Sequence, residues 1–377
     1  MKILFGIDAF QSHSNGTSIS AQRYAETLRT MGHEVRIITN TESSYPDYIY
    51  PLKELKNPLG PLLHANGYQF ASPNEKVINQ ALDWCDIVHV YTPFFLGCKI
   101  KKMAKAKGKP LTAAFHVQAE NISSAFHVGK VEKVNRMLYR FHYNTMYKGI
   151  QHIHCPSQMM ADELKHYGYD NQLYVISNGI SDDFVYSRPI NEKQNSDKIV
   201  ITMVGRLSPE KRQDLIIKAV KMSKYEDRIQ LQFAGMGPME KKYHRLGKEL
   251  TNPPIFGYYT RKELIELLHN THIYVHASDM ESEAIGCIEA FATGLVPIIS
   301  NSPLSATKQF ALDERSLFKV GDATDLKNHI EYWIEHPEER KEMEIKYAQE
   351  AQKYRLTKVI RDFESMLEDA ITCQSKV

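Results

Sequence analysis

The sequence has no run approaching the roughly 20 uninterrupted apolar residues a membrane-spanning helix requires, so no such helix is expected in its 377 residues. Its five cysteines, Cys85, Cys98, Cys155, Cys287 and Cys373, include no CxxC or CxxH pairing. That argues against a disulfide framework or a zinc site, and the five are expected to be small, reduced core residues. The opening MKILFGIDAF turns polar at Gln11, too short for the apolar region of a signal peptide and suited to a buried first strand. A cytoplasmic location follows as an expectation. Low-complexity tracts and internal repeats are absent, and neither half carries GxGxxG between a strand and a helix, which counts against a dinucleotide oxidoreductase. Net charge is scarce as well, +2 overall, yet unevenly placed. Between Lys99 and Lys148 stand eleven Lys/Arg against two acids, Glu120 and Glu132. A local basic surface on a near-neutral chain points to contact with something anionic.

What is present fits an ordinary globular chain, with 42% apolar and 24% charged residues. Its length exceeds what one core usually serves, so two domains are expected. Short apolar runs rich in β-branched residues alternate with amphipathic stretches, the pattern of parallel α/β architecture. Strands are expected at Lys2–Ile7, Glu34–Thr39, Ile87–Tyr91, Leu111–Phe115, Ile153–Pro156 and Tyr174–Ser177, with a helix at Ser18–Met31. The polar, proline-bearing stretch Ser187–Lys198 reads as a linker. The pattern then restarts with strands Ile199–Val204, Gln230–Ala234, Ile273–His276 and Val296–Ser300. Helices are expected at Gln213–Lys221, Pro238–Leu250 and Gly286–Ala292, followed by a charged helical tail from Glu338 to Glu368.

Two motifs carry chemistry. In Glu281-Ser-Glu-Ala-Ile-Gly-Cys-Ile-Glu289, one glutamate lies in the loop after a strand and the other about one turn into the next helix. Between them, Ile285 and Gly286 offer backbone N–H groups at a helix N-terminus, where amides lack intrahelical acceptors and the dipole end is positive. Carboxylates there can accept from sugar hydroxyls; the alternative is a capped surface helix bearing two solvated acids. In Val204-Gly-Arg-Leu-Ser-Pro-Glu-Lys211, Arg206 and Lys211 can converge on a diphosphate, Arg through its planar fork and Lys as a point charge. A solvated basic turn is the alternative there.

Together, and in this order, these motifs resemble the C-terminal half of the retaining glycosyltransferases of family 4, which have the GT-B fold. Phe233-Ala-Gly-Met-Gly-Pro238 and Phe256-Gly-Tyr-Tyr-Thr-Arg-Lys-Glu-Leu264 also look like segments of that family. In the first half, Ile7-Asp-Ala-Phe, Ser14-Asn-Gly-Thr-Ser-Ile-Ser20, Pro156-Ser-Gln-Met-Met-Ala and Val175-Ile-Ser-Asn-Gly-Ile180 do the same. The resemblance implies two Rossmann-like domains facing across a cleft: residues 1–188 for the acceptor, 198–355 for the nucleotide sugar. It also implies a final helix, 356–377, packed back on the first domain. It assigns Arg206 and Lys211 to the donor pyrophosphate, Glu289 to the ribose, and Glu281 to the transferred hexose with amides near Ile285 and Gly286. Tyr258 is assigned to the base, and Gly16 and His116 to the donor from the first domain. For a lone histidine at a strand end, a structural hydrogen bond is the alternative. Where many members carry a double glycine this chain has Asn15-Gly16, and Ser302–Phe310 departs from the family without an assigned role. No metal-ligand cluster appears, so a metal-independent front-face displacement with anomeric retention is expected, with no cofactor beyond the nucleotide sugar.

The acceptor side rests on the basic segments. Lys99, Lys101, Lys102 and Lys105 lie on a helix that runs to a glycine stop, which a solvated helix face explains equally well. Further on, Lys130, Lys133, Arg136 and Arg140 lie among Val131, Val134, Leu138, Phe141 and Thr145 at helical spacing. Such a helix can rest on anionic lipid, or turn its apolar stripe to the core and its basic back to water. Asn15–Ile19, His116–Asn121 and Ser302–Ala306 resemble the branch containing diacylglycerol glucosyltransferases. The branch implies transfer of glucose or galactose from a UDP-sugar to a lipid at the inner face of the membrane, by a peripherally bound enzyme. A soluble or polysaccharide-precursor acceptor is the nearest alternative, and a non-catalytic sugar-nucleotide-binding protein the next. A nucleic-acid partner is not expected, because it leaves both motifs unexplained.

Overall fold

The computed structural model describes residues 1–11, 16–41, 46–56, 69–124, 131–186 and 198–374. Lys130, Asn15 and most of the expected linker lie outside the described residues. The chain divides into two compact units, Met1–Gly179 with Leu356–Val377, and Ile180–Arg355. The division falls after Gly179, ahead of the boundary at residue 188 expected from the polar stretch.

In the first unit, β1 (Lys2–Gly6), β2 (Glu34–Asn40), β3 (Ile49–Leu52), β4 (Ile87–Val90), β5 (Leu111–Ala114), β6 (His152–Cys155) and β7 (Gln172–Val175) form one parallel sheet in the order β3-β2-β1-β4-β5-β6-β7. β1 and β4 are apolar along almost their whole length because helices cover both faces. The helix Leu356–Gln374 belongs to this unit, with Val359, Ile360, Phe363, Met366 and Leu367 buried against β1 and the helix Gly16–Thr30. Phe363 lies edge-on to Tyr24 at 4.9 Å and to His89 at 4.9 Å.

The second unit repeats the plan with β8 (Ile199–Val204), β9 (Ile229–Ala234), β10 (Ile255–Gly257), β11 (Ile273–His276), β12 (Pro297–Ser300) and β13 (Leu317–Phe318). They form a parallel sheet in the order β10-β9-β8-β11-β12-β13. Its ends are tied where the chain enters and leaves: the Ile180 N–H donates to Tyr354 O at 2.9 Å, and Arg355 donates to Phe184 O at 2.8 Å. In both sheets the strand order reverses once, between β1 and β4 and between β8 and β11. Open parallel sheets take ligands beyond the carboxyl ends of the strands at such a reversal. In the second unit that places Gly205–Lys211, leaving β8, next to Ala277–Ala284, leaving β11.

The basic helix of the first unit sits differently from its sequence pattern. Glu132–His142 buries Asn135, Tyr139 and His142, while Val134 and Leu138 are half-buried. Phe141, placed in the apolar stripe by spacing, is exposed, and so is Met137. The inward ring is Tyr139, which stacks on Tyr167 and donates to Glu120 at 2.9 Å, so a polar anchor sets the helix phase.

Candidate active site

The two loops at the β8/β11 reversal are bonded directly to each other. The Asp279 N–H donates to Glu210 O at 2.7 Å, and Arg212 pairs with Asp279 at 3.1 Å. Arg212 itself holds a left-handed backbone, φ 58, between the turn Pro209–Lys211 and the helix Gln213–Lys221. The loop after β9 packs on the first of these loops by backbone: a Cβ on Gly235 would stand 2.1 Å from Gly205 O. Only glycine permits that approach.

Within this frame Lys211 and Glu281 meet. Lys211 Nζ lies 2.5 Å from Glu281 Oε1, with side chains 18% and 11% exposed. His276, the last residue of β11, donates from Nε2 to the same oxygen at 2.9 Å. Burial alone favours the neutral acid; the Lys211 charge and the His276 hydrogen bond outweigh it and hold the Glu281 carboxyl down at about 2. Glu281 is therefore an anion at any physiological pH. Its backbone is braced by the segment that sequence left without a role: Glu281 bridges Ser305, Ala306 N–H donates to Glu281 O at 2.9 Å, and Ser302 Oγ donates to Asp279 O at 2.6 Å.

Beyond Glu281 the helix Ile285–Ala292 begins without a side-chain cap. Ala284, its N-cap, adopts φ 73, a left-handed conformation that costs a non-glycine residue roughly 1–2 kcal/mol. The turn presents the Ile285 and Gly286 amides, the first of the helix, which have no intrahelical acceptor. Gly286 lets this helix end close on β8, since a Cβ there would sit 3.1 Å from the Val204 side chain. Glu289 lies buried on the second turn, Arg206 is half-buried just after β8, and Tyr258 is 51% exposed after β10. The second unit thus gathers Arg206, Lys211, Glu281, Ile285, Gly286 and Glu289 around one strand reversal, with Tyr258 on the loop beyond β10. An anionic carboxylate, a cation and free amides side by side can receive a ligand that is both phosphorylated and rich in hydroxyls.

Gly16 and His116 belong to the first unit. Gly16 opens the helix Gly16–Thr30 and is exposed. His116 follows β5 and is 6% exposed, stacked on Tyr91 at 5.8 Å and edge-on to His154 at 5.2 Å. Burial, reinforced by His154, pushes its imidazole well below the usual histidine range, so it is neutral. Its Nε2 has no hydrogen-bond partner among the described residues.

Lys101 Nζ donates to Thr145 O at 3.2 Å, which puts the helix Phe95–Ala106 beside the turn after Glu132–His142. Lys99 pairs with Glu75, Arg136 pairs with Glu132 at 3.0 Å, and Lys102, Lys105, Lys133 and Arg140 are exposed.

Residues 188–351 match the sequence model of the glycosyl transferases group 1, and residues 14–184 match that of glycosyltransferase family 4. The chain is a family 4-type glycosyltransferase. The GDP-mannose-dependent alpha-mannosyltransferase of Corynebacterium glutamicum is 24% identical to this transferase over 311 residues, 79% of this chain and 72% of that one. Anabaena Alr3699/HepE, solved with UDP-glucose, superposes with a TM-score of 0.77 at 17% identity, covering 98% of this transferase and 100% of that chain. The catalytic domain of cholesterol-alpha-glucosyltransferase from Helicobacter pylori is 48% identical with a TM-score of 0.39, covering 41% of this chain and 99% of that one. With two parallel α/β sheets of seven and six strands, the fold of the transferase is GT-B.

His276 and Arg212 were not singled out from sequence, and Ser302–Ala306 was picked out only as a resemblance, without its part as a brace. The available signal was a polar residue closing a strand otherwise buried on both faces, five positions ahead of Glu281.

Proposed function

We propose that this glycosyltransferase moves a hexose from a nucleoside-diphosphate sugar, UDP-glucose or UDP-galactose, onto a lipid head group at an anionic membrane surface, with retention at the anomeric carbon. The observation that carries the donor half is the Lys211–Glu281 pair beside the free amides of Ile285 and Gly286. In the transfer, the bond between the anomeric carbon and the diphosphate oxygen breaks. The acceptor oxygen bonds to the same face, and its proton goes to the departing phosphate. Arg206, Lys211 and the helix amides stabilise the charge that develops on the diphosphate, a role for which fixed cations and amides suffice without a metal. Glu281, already ionised, accepts from hexose hydroxyls, and Glu289 from the ribose. His116 is neutral and buried, so its part is to hydrogen-bond the sugar. The relative from Corynebacterium uses GDP-mannose, which makes GDP-sugars the competing donor class.

The acceptor half is supported by Met137 and Phe141, 63% and 58% exposed on a helix that also carries Lys133, Arg136 and Arg140 to solvent. Apolar side chains set among cations suit the boundary between headgroups and acyl chains of an anionic bilayer. The test pairs co-sedimentation with transfer. The protein should partition onto vesicles containing phosphatidylglycerol and not onto pure phosphatidylcholine, and should glycosylate diacylglycerol in the former from UDP-glucose or UDP-galactose. Equal partitioning to both, or transfer only to soluble acceptors, would remove the lipid reading. Turnover with GDP-mannose alone would replace the UDP-sugar.

A further inference from the structure

Strand geometry places Tyr274 and His276 on one face of β11, two residues apart. Their rings stack at 6.1 Å, and His276 Nδ1 lies 3.2 Å from the Tyr274 hydroxyl. The same hydroxyl stands 3.4 Å from Val204 O, at the end of β8, a second acceptor within reach of its one hydrogen. Tyr274 is fully buried and His276 is 2% exposed. A buried relay therefore runs from the last residue of β8, through Tyr274 and His276, to Glu281 Oε1, where Lys211 also ends. With the ring neutral, Nδ1 accepts the Tyr274 hydrogen and Nε2–H points to the carboxylate; with the ring charged, Nδ1–H donates to the phenol oxygen, whose hydrogen turns to Val204 O, and Nε2–H still points to Glu281. Both donors use Oε1, and among the described residues Oε2 has no partner. The carboxylate is thus turned with one oxygen held from behind and the other left for a ligand.

We propose that His276 is a positioning residue: it fixes the Glu281 carboxylate for the transferred hexose while Lys211 is drawn to the donor diphosphate. This rests on the assignment of Glu281 to the hexose and Lys211 to the diphosphate given above. Before the donor binds, Glu281 has two anchors, Lys211 and His276. Once the ammonium turns its hydrogens to phosphate oxygens, the Lys211 anchor weakens. The His276 N–H cannot leave, because Tyr274 pins the ring and the strand holds both. Orientation of Glu281 during transfer then depends on His276, whereas nucleotide binding does not.

The consequence is a split between turnover and nucleotide affinity, measured with UDP-glucose as donor, UDP as binding probe and the acceptor that supports wild-type turnover. His276→Leu should lower kcat about 10- to 100-fold, as expected for one lost hydrogen bond to a charged group. The Kd for UDP should stay within about twofold. His276→Gln, which restores an N–H toward Glu281, should recover most of the loss. A merely structural residue would instead lower UDP affinity and thermal stability together and would not be rescued by Gln. Wild-type kcat in His276→Leu, or parallel loss of UDP binding in both variants, overturns the proposal. If His276→Leu does not fold, Tyr274→Phe decides. Lower kcat with unchanged UDP affinity supports the relay, and unchanged kcat contradicts it. Glu281→Gln separates the two levels: full activity there removes the assignment of Glu281 itself. An inactive Glu281→Gln beside a fully active His276→Leu removes only the role of His276.

Discussion

Replacing Lys211 by Met keeps the aliphatic stem and removes the charge, and its effects on activity and on folding can be separated. In the transition state the ammonium faces a departing diphosphate, and loss of one such fixed contact costs about 2–4 kcal/mol. That corresponds to a fall of roughly 30- to 1000-fold in kcat/KM. In the folded protein the same substitution leaves the Glu281 carboxylate, 11% exposed, with the His276 N–H as its remaining side-chain partner among the described residues. Removing one partner of a fully buried pair costs about 3–5 kcal/mol. Here the remaining hydrogen bond and partial exposure reduce that to about 1–3 kcal/mol. The unfolding midpoint should then drop by several degrees while activity nearly vanishes. The Glu281 carboxyl should also climb from about 2 as its main counter-charge goes. Steady-state release of nucleoside diphosphate against donor concentration, with thermal unfolding of the same preparations, measures both effects. Arg206→Ala, assayed beside it, should lose kcat/KM by a comparable factor. Full activity in both variants refutes the assignment of these cations to the diphosphate.

Other outcomes follow from single features. Phe363→Ala removes a fully buried ring that packs on Phe5, Tyr24, His89 and His154, and should cost about 3–5 kcal/mol in denaturant unfolding of the first unit; a loss below 1 kcal/mol contradicts the packing of the last helix described above. Gly235→Ala should weaken UDP binding at least tenfold, because its methyl would meet Gly205 O and displace the Arg206 loop. The pair Met137→Ser and Phe141→Ser should reduce binding to anionic vesicles with unfolding unchanged, since both side chains are exposed. Acid should destabilise the first unit. Burial lowers His142 and His154 to about 4 and His89 and His116 well below 6.5. Below pH 6.5 the unfolded chain thus takes up protons that the folded one does not, and stability falls from there to about pH 4. Asp8, raised to about 6 by burial, works the other way in the same window. The shifts of His142, His154 and Asp8 are worth about 3 kcal/mol each, so the histidines together outweigh the aspartate. Urea midpoints should be lower at pH 5 than at pH 7, and a flat or rising trend would contradict this.

The sequence made the central strands and the motif loops legible because their pattern is local. β8 and β11 are apolar runs covered on both faces, and the helix Gln213–Lys221 carries a clear stripe. The edge strands β3, β10 and β13 were missed, since strands of two to four residues at a sheet margin leave no alternation to read. Spacing left open whether the stripe of the basic helix faces the core or lipid; Tyr139 and Asn135 face inward while Val131 and Phe141 are exposed, an orientation set by hydrogen bonds with Glu120 and Ser123 that spacing does not show. In the site, the residue types were legible but their state was not. Lys211 and Glu281 are 70 positions apart, so nothing in sequence shows that they pair in the resting protein. The same holds for His276 and for the Ser302–Ala306 brace, whose importance comes from where β11 and β12 deliver them.

The most direct test of the account is transfer itself, measured as radiolabelled hexose passing from UDP-glucose or UDP-galactose to lipid in anionic vesicles, with wild-type protein and Glu281→Gln side by side. Turnover by the wild type, an α-linked product from the α-linked donor, and loss of nearly all turnover in a Glu281→Gln protein that still folds are expected. A folded wild type inert with every nucleotide sugar, or a Glu281→Gln protein as active as the wild type, would contradict the account.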